Sequence, residues 1–194
     1  MTNEFKHIVL FASGNGTNAE HIVKTFKNHP SIKVVAVFCN NPKAGVIERI
    51  KPYDIPVQLF DKKMLNDADI FINMLKPYQP NLLVLAGFLL LIPTYLIQFY
   101  PKEIINIHPA LLPKFGGKGM YGQHIHQAVL NAKETEHGIT IHFVNEHYDE
   151  GEHIVQAKFN IEANDNLQII QQRISALEFS YYPEAIKRVL GVYY

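Results

Sequence analysis

A chain of 194 residues is long enough for one well-buried domain, 1–194, and short for two. Its 47% hydrophobic and 19% charged residues describe an ordinary globular protein. Eighteen lysines plus arginines against 18 aspartates plus glutamates leave no bulk field to draw nucleic acid or an acidic membrane. The single cysteine, Cys39, excludes an intrachain disulfide framework and fits a reducing compartment.

The polar start Met1–Lys6 and the short run Ile8–Ala12 do not make a signal peptide, so a cytoplasmic protein is expected. Ile8–Ser13 predicts a buried strand that runs into a glycine-rich turn. A helix follows over Asn18–Lys27, a second strand over Val34–Phe38, a short helix over Ala44–Lys51 and a third strand over Pro56–Leu59. Met64–Tyr78 predicts another helix, Leu82–Ala86 a buried strand, Pro93–Phe99 a helix and Ile104–His108 a strand. The greasiest stretch, Leu82–Ile92, contains Gly87 and is too short to span a bilayer. Apolar runs alternating with helical periods predict an α/β fold, a mostly parallel sheet with helices on both faces. Gly138–Val144 and His153–Phe159 alternate like strands with one polar face and suggest an antiparallel pair. Leu167–Leu190 ends the chain as a long helix with a break expected near Pro183. No repeat, low-complexity segment or linker interrupts this order.

Three places carry chemistry. In Ile104-Ile-Asn106-Ile-His108-Pro109, alternation puts Asn106 and His108 on one face of a strand end, about 7 Å apart, with Pro109 stopping the strand. An amide and an imidazole held side by side can stabilise an oxyanion and move a proton. In Ser13-Gly-Asn-Gly16-Thr17-Asn18-Ala19, the spacing Gly14-x-Gly16-x-x-Ala19 satisfies a dinucleotide fingerprint at a helix N-terminus, where free N–H groups receive phosphate. The second strand ends in Cys39-Asn40-Asn41, without the carboxylate that would hold a dinucleotide's ribose, so a monophosphate is favoured. A plain alternative is a turn whose Thr17 or Asn18 caps the helix. The loop Asn145-Glu-His-Tyr-Asp149-Glu-Gly151 offers Asp149 as a partner that orients His108 and raises its pKa.

Together these motifs resemble the folate-dependent phosphoribosylglycinamide formyltransferases, and the similarity covers nearly the whole chain. It is carried by Ser13–Asn18, Leu85-Ala-Gly-Phe88, Asn106-Ile-His-Pro-Ala-Leu-Leu-Pro113, and Gly138 through Asp149-x-Gly151. The resemblance implies a single-domain Rossmann-like formyltransferase fold. It implies formyl transfer from 10-formyltetrahydrofolate to glycinamide ribonucleotide in purine (IMP) biosynthesis. Asn106, His108 and Asp149 would be catalytic, with a protonated His108. Gly16, Thr17, Asn18, Ser175, Ala176, Leu177 and Glu178 would hold the ribonucleotide. The formyl-folate would lie against Leu89, Leu90, Leu91 and Ile92, against Asn106, and against Asn145, Glu146, His147, Tyr148 and Asp149, with Lys63 meeting its glutamate tail.

The sequence departs from the family pattern twice. Leu89-Leu90-Leu91 stands where the family commonly has an arginine, and Lys114–His126 is longer than the compact family version, its glycines predicting a mobile flap. His124-x-His126 could share a metal if it lay on a strand, but no cysteine or carboxylate completes a zinc pattern, and no metal is expected. Methionyl-tRNA formyltransferases and formyl-folate hydrolases share the chemistry but resemble longer proteins with an added domain. The expected partners are therefore small molecules, with no nucleic acid or membrane, and a monomer or homodimer.

Overall fold

The computed structural model describes residues 5–192, so the first four residues of the polar start lie outside it. Seven strands form one sheet in the order β3-β2-β1-β4-β5-β6-β7. They are β1 (Lys6–Ala12), β2 (Ile32–Cys39), β3 (Val57–Leu59), β4 (Leu82–Leu85), β5 (Ile104–His108), β6 (Glu136–Phe143) and β7 (His153–Asn160). The first five are parallel, and β6 pairs antiparallel with both β5 and β7, the late antiparallel pair that the alternation predicts.

The central strands are buried on both faces, which is why they read as unbroken apolar runs. On one face Ile8 and Leu10 of β1, Ile105 and Ile107 of β5 and Ile139 and Ile141 of β6 pack under α1 (Thr17–Phe26), α2 (Gly45–Ile50) and α7 (Leu167–Val189). On the other, Val9, Phe11, Phe38 and Ile104 pack with α3 (Lys62–Leu65), α4 (Ala68–Leu75) and α5 (Thr94–Phe99). Phe11 is the hub there: its ring stacks on Phe38 at 5.4 Å and meets Phe60, Phe71 and Phe88 at their edges or tilted.

Three expectations need correction. The helix expected over Met64–Tyr78 is two helices and a final 3-10 turn (Lys76–Tyr78), because Asp67 breaks the run by accepting the N–H of Ile70 at 3.0 Å and starting α4 anew. Lys114–His126 is not all flap: it turns helical at Gln123, and α6 (Gln123–Asn131) seats Ile125 and Val129 against Ala110. The break expected near Pro183 does not occur. Proline cannot donate to the carbonyl four residues back, that of Phe179. Here His21 of α1 donates Nε2–H to that carbonyl at 3.0 Å and stacks on the Phe179 ring at 4.3 Å. The orphaned acceptor is satisfied from a neighbouring helix, so α7 continues through its proline.

Candidate active site

The ends of β1, β4 and β5 open into a cleft of about 860 Å³, closed on one side by α7 and on the other by the loop after β6. Open parallel sheets place ligands at these carboxyl ends. Each polar element is positioned by a local rule.

After β1, Gly16 adopts φ 78 and precedes α1, where no side chain caps the helix. Neither Thr17 nor Asn18 takes that role, so the cap alternative is not what the structure shows. A Cβ on Gly16 would come within 2.5 Å of Val46, so α2 can lie close only because this residue is glycine. Ser13 donates to Asn40 at 2.6 Å and accepts the N–H of Leu89 at 3.0 Å, tying the ends of β1, β2 and β4 together.

At the end of β5, Asn106 and His108 face the cleft on the same side of the strand as His142 and Thr140 of β6, their register partners. Asp149 stands in left-handed backbone at φ 59, which aims its carboxylate back over β5. Its Oδ2 lies 3.4 Å from His108 Nδ1. Gly151 follows, pressed so closely on the Phe143 carbonyl that a side chain would collide with it. His142, which sequence reasoning missed, completes the set. Its Nδ1–H donates to the Phe143 carbonyl at 2.8 Å, and its Nε2 lies 3.2 Å from Asn106 Nδ2 and 3.7 Å from Asp149 Oδ1, between the two partners. The same amide nitrogen donates to Asp149 Oδ1 at 3.4 Å. The missed signal was the alternation itself, since Thr140 and His142 are the polar face of Gly138–Val144.

The flap is tied to this group. Phe115 accepts from His108 Nε2 at 2.8 Å through its carbonyl, and Gly117 donates its N–H to Asp149 Oδ2 at 2.9 Å. Both nitrogens of His108 thus face oxygen acceptors, which favours the charged ring. Burial nevertheless dominates: it pulls His108 below its ordinary pKa, against the opposing pull of Asp149 and the Phe115 carbonyl. Burial thus opposes the charged ring expected from the sequence, while both hydrogen-bond acceptors favour it. Asp149 is held below the usual carboxylate range: burial raises it, but His142, His108 and Gly117 together outweigh that. Glu178 is pushed up to about 7 by burial, with Asn18 pulling the other way.

Of the sequence-derived residues, Thr17, Asn18, Leu89, Leu90, Leu91, Ile92, Asn106, His108, Asn145, His147, Tyr148, Asp149, Ser175 and Glu178 line the cleft. Five do not. On α7 the lining residues Gln171, Ile174, Ser175 and Glu178 repeat at three and four positions, so Ala176 falls outside and Leu177 turns into the core. Glu146 is exposed between two lining neighbours, and Lys63 is exposed on α3. Gly16 contributes backbone behind Thr17. His124 and His126, placed on a helix rather than a strand, diverge: the first is exposed, and the second is buried with Nδ1 3.0 Å from His137 Nε2. Among the described residues no group of three His, Cys, Asp or Glu side chains is placed to hold a metal ion.

Known proteins resemble the chain over nearly its whole length. The formyl transferase family profile matches residues 6–186. The chain is similar to the phosphoribosylglycinamide formyltransferase of Bacillus subtilis, 39% identical over 192 residues and covering 96% of each chain. It is 34% identical to the Escherichia coli enzyme of that name over 93% of this chain and 85% of the relative. Among solved structures, phosphoribosylglycinamide formyltransferase from Bacillus halodurans superposes with a TM-score of 0.84 at 35% identity, covering 95% of both chains.

Proposed function

The chain belongs to the formyl transferase family, and on that footing we propose that it moves the formyl group of 10-formyltetrahydrofolate to the glycinamide amine of 5-phosphoribosylglycinamide, a step of purine biosynthesis. The observation that carries this reading is a convergence within one cleft. A glycine turn with an uncapped helix N-terminus suits a phosphate. An apolar wall of Leu89–Ile92 suits a flat pterin ring. Asn106, His108 and Asp149 stand with them.

The residues divide the work. Thr17 and Asn18 hold the phosphate on the N–H groups of α1, and Ser175 and Glu178 meet the sugar and glycinamide end. Leu89–Ile92, Asn145, His147 and Tyr148 enclose the folate, and the two substrates meet beside Asn106. As the amine attacks the formyl carbon, Asn106 steadies the oxyanion and His108 exchanges the Phe115 carbonyl for the substrate. With its one N–H on Nδ1, turned to Asp149, the neutral ring uses the freed Nε2 to take the proton that the new C–N bond expels and gives it to the folate nitrogen as that C–N bond breaks. Asp149 holds the ring in place and stabilises its transient charge, and His142 keeps Asn106 and Asp149 together. The protein works as one domain in the cytoplasm, and no helix among the described residues is long and apolar enough to cross a membrane.

The test is a single assay in which the purified protein and 10-formyltetrahydrofolate are offered glycinamide ribonucleotide, methionyl-tRNA or water as acceptor. Formyl transfer to the ribonucleotide is expected; transfer only to tRNA or only to water overturns the assignment.

A further inference from the structure

The proposed acceptor carries a phosphate dianion and the donor a carboxylate tail, yet the cleft is poor in positive charge. Its lining includes two carboxylates, Asp149 and Glu178. Among the described residues that line it, Lys118 is the one lysine or arginine. A dianion bound on backbone N–H groups alone leaves room for a strong charge-assisted contact, so the position of Lys118 decides what it can do.

Lys118 stands on the flap between Gly117, at φ 95, and Gly119, at φ 90, two left-handed positions that only glycine adopts without strain. The flap is anchored on both sides of it. Upstream, Gly117 N–H is fixed to Asp149 and Lys114 is paired with Glu134 at 2.9 Å. Downstream, Gly122 opens α6. Lys118 is exposed and makes no ion pair among the described residues. It is thus a free cation on the rim of the cleft, next in the chain to the glycine that is bonded to Asp149.

Which anion it meets follows from the layers. Downstream of Lys118 the chain enters α6, which packs beside α7, and α7 packs on α1, the helix whose N-terminus faces the phosphate. The apolar wall Leu89–Ile92 belongs to the other layer, with Phe88 and Leu96. We propose that Lys118 is the cation that closes over the phosphate of the acceptor substrate, and that the longer glycine flap of this chain serves to deliver it. The inference rests on the acceptor reading above, and its test separates the two.

The experiment compares wild type, Lys118→Ala and Lys118→Arg with three measurements: KM for glycinamide ribonucleotide, KM for 10-formyltetrahydrofolate, and kcat/KM for the ribonucleotide against its dephosphorylated riboside. Loss of one charge-assisted contact should raise the ribonucleotide KM of Lys118→Ala about 10- to 100-fold and shrink its preference for the phosphorylated acceptor by the same factor. Lys118→Arg should keep most of both. A rise confined to the KM of the formyl donor overturns the proposal in favour of the folate tail, and no change in either KM overturns it outright. An inactive wild type would instead overturn the acceptor reading, since that result does not depend on Lys118.

Discussion

His108 is subject to two opposed influences, and the outcome decides how it can act. Burial lowers its pKa, while Asp149 at 3.4 Å and the Phe115 carbonyl raise it, and burial prevails. A ring that is neutral near pH 7 can accept the proton of the attacking amine, whereas one that is charged at rest can only donate. The two roles give opposite pH profiles. If His108 must be neutral, kcat/KM falls as pH drops through its pKa, and that acid limb should lie below the ordinary histidine value of about 6.5. Asp149→Asn removes the carboxylate that raises the pKa, so its limb should move further toward acid while kcat drops about 10²- to 10⁴-fold. His108→Ala should lose activity on the same scale with the fold retained by circular dichroism. A profile in which activity falls as pH rises through 6.5 would show that the charged ring is required instead. The positions of Asn106, His108 and Asp149 were legible as sequence motifs. The direction of the His108 pKa was not, because it depends on how the chain around Phe115 covers the ring.

Among the elements, α7 shows most clearly where local rules stop. Its proline predicts a break, and the prediction fails because His21, 158 residues away in sequence from Phe179, supplies the missing donor. Strands were readable because burial on both faces writes a continuous apolar run into β1 and β4. Helix α6 was not, since a glycine-rich lead hides its start and its two histidines obscure the apolar spacing of Ile125 and Val129. The compensation in α7 can be measured as a coupling. His21→Ala leaves the Phe179 carbonyl without its donor and should cost about 1–2 kcal/mol. Pro183→Ala restores a backbone N–H for that carbonyl, so His21→Ala should cost distinctly less in a Pro183→Ala background. Urea unfolding of the four proteins in the cycle gives the coupling. Strict additivity would mean that the His21 bond does not support the proline turn.

For the whole molecule, buried titratable groups decide how stability varies with pH, and they do not all act in one direction. His108, His126 and His137 are each pulled below the ordinary value by burial, His137 to about 4. A histidine kept neutral by the fold binds its proton more readily once unfolded, so stability is full above about pH 6.5 and is lost as pH falls toward the folded pKa. Glu178 acts oppositely. Its folded pKa of about 7 exceeds the unfolded carboxyl value of about 4.3, so its contribution is present at low pH and fades as pH rises through 7. Three buried histidines against one glutamate should leave the protein less stable at pH 5 than at pH 7. Urea midpoints measured every half unit between these values give the slope. Glu178→Gln removes the opposing group and should make the slope steeper, whereas His137→Gln should flatten it. A wild-type slope of the other sign would mean that Glu178 outweighs the histidines, and the cleft rather than the buried pair under α6 would then set the acid limit of the fold.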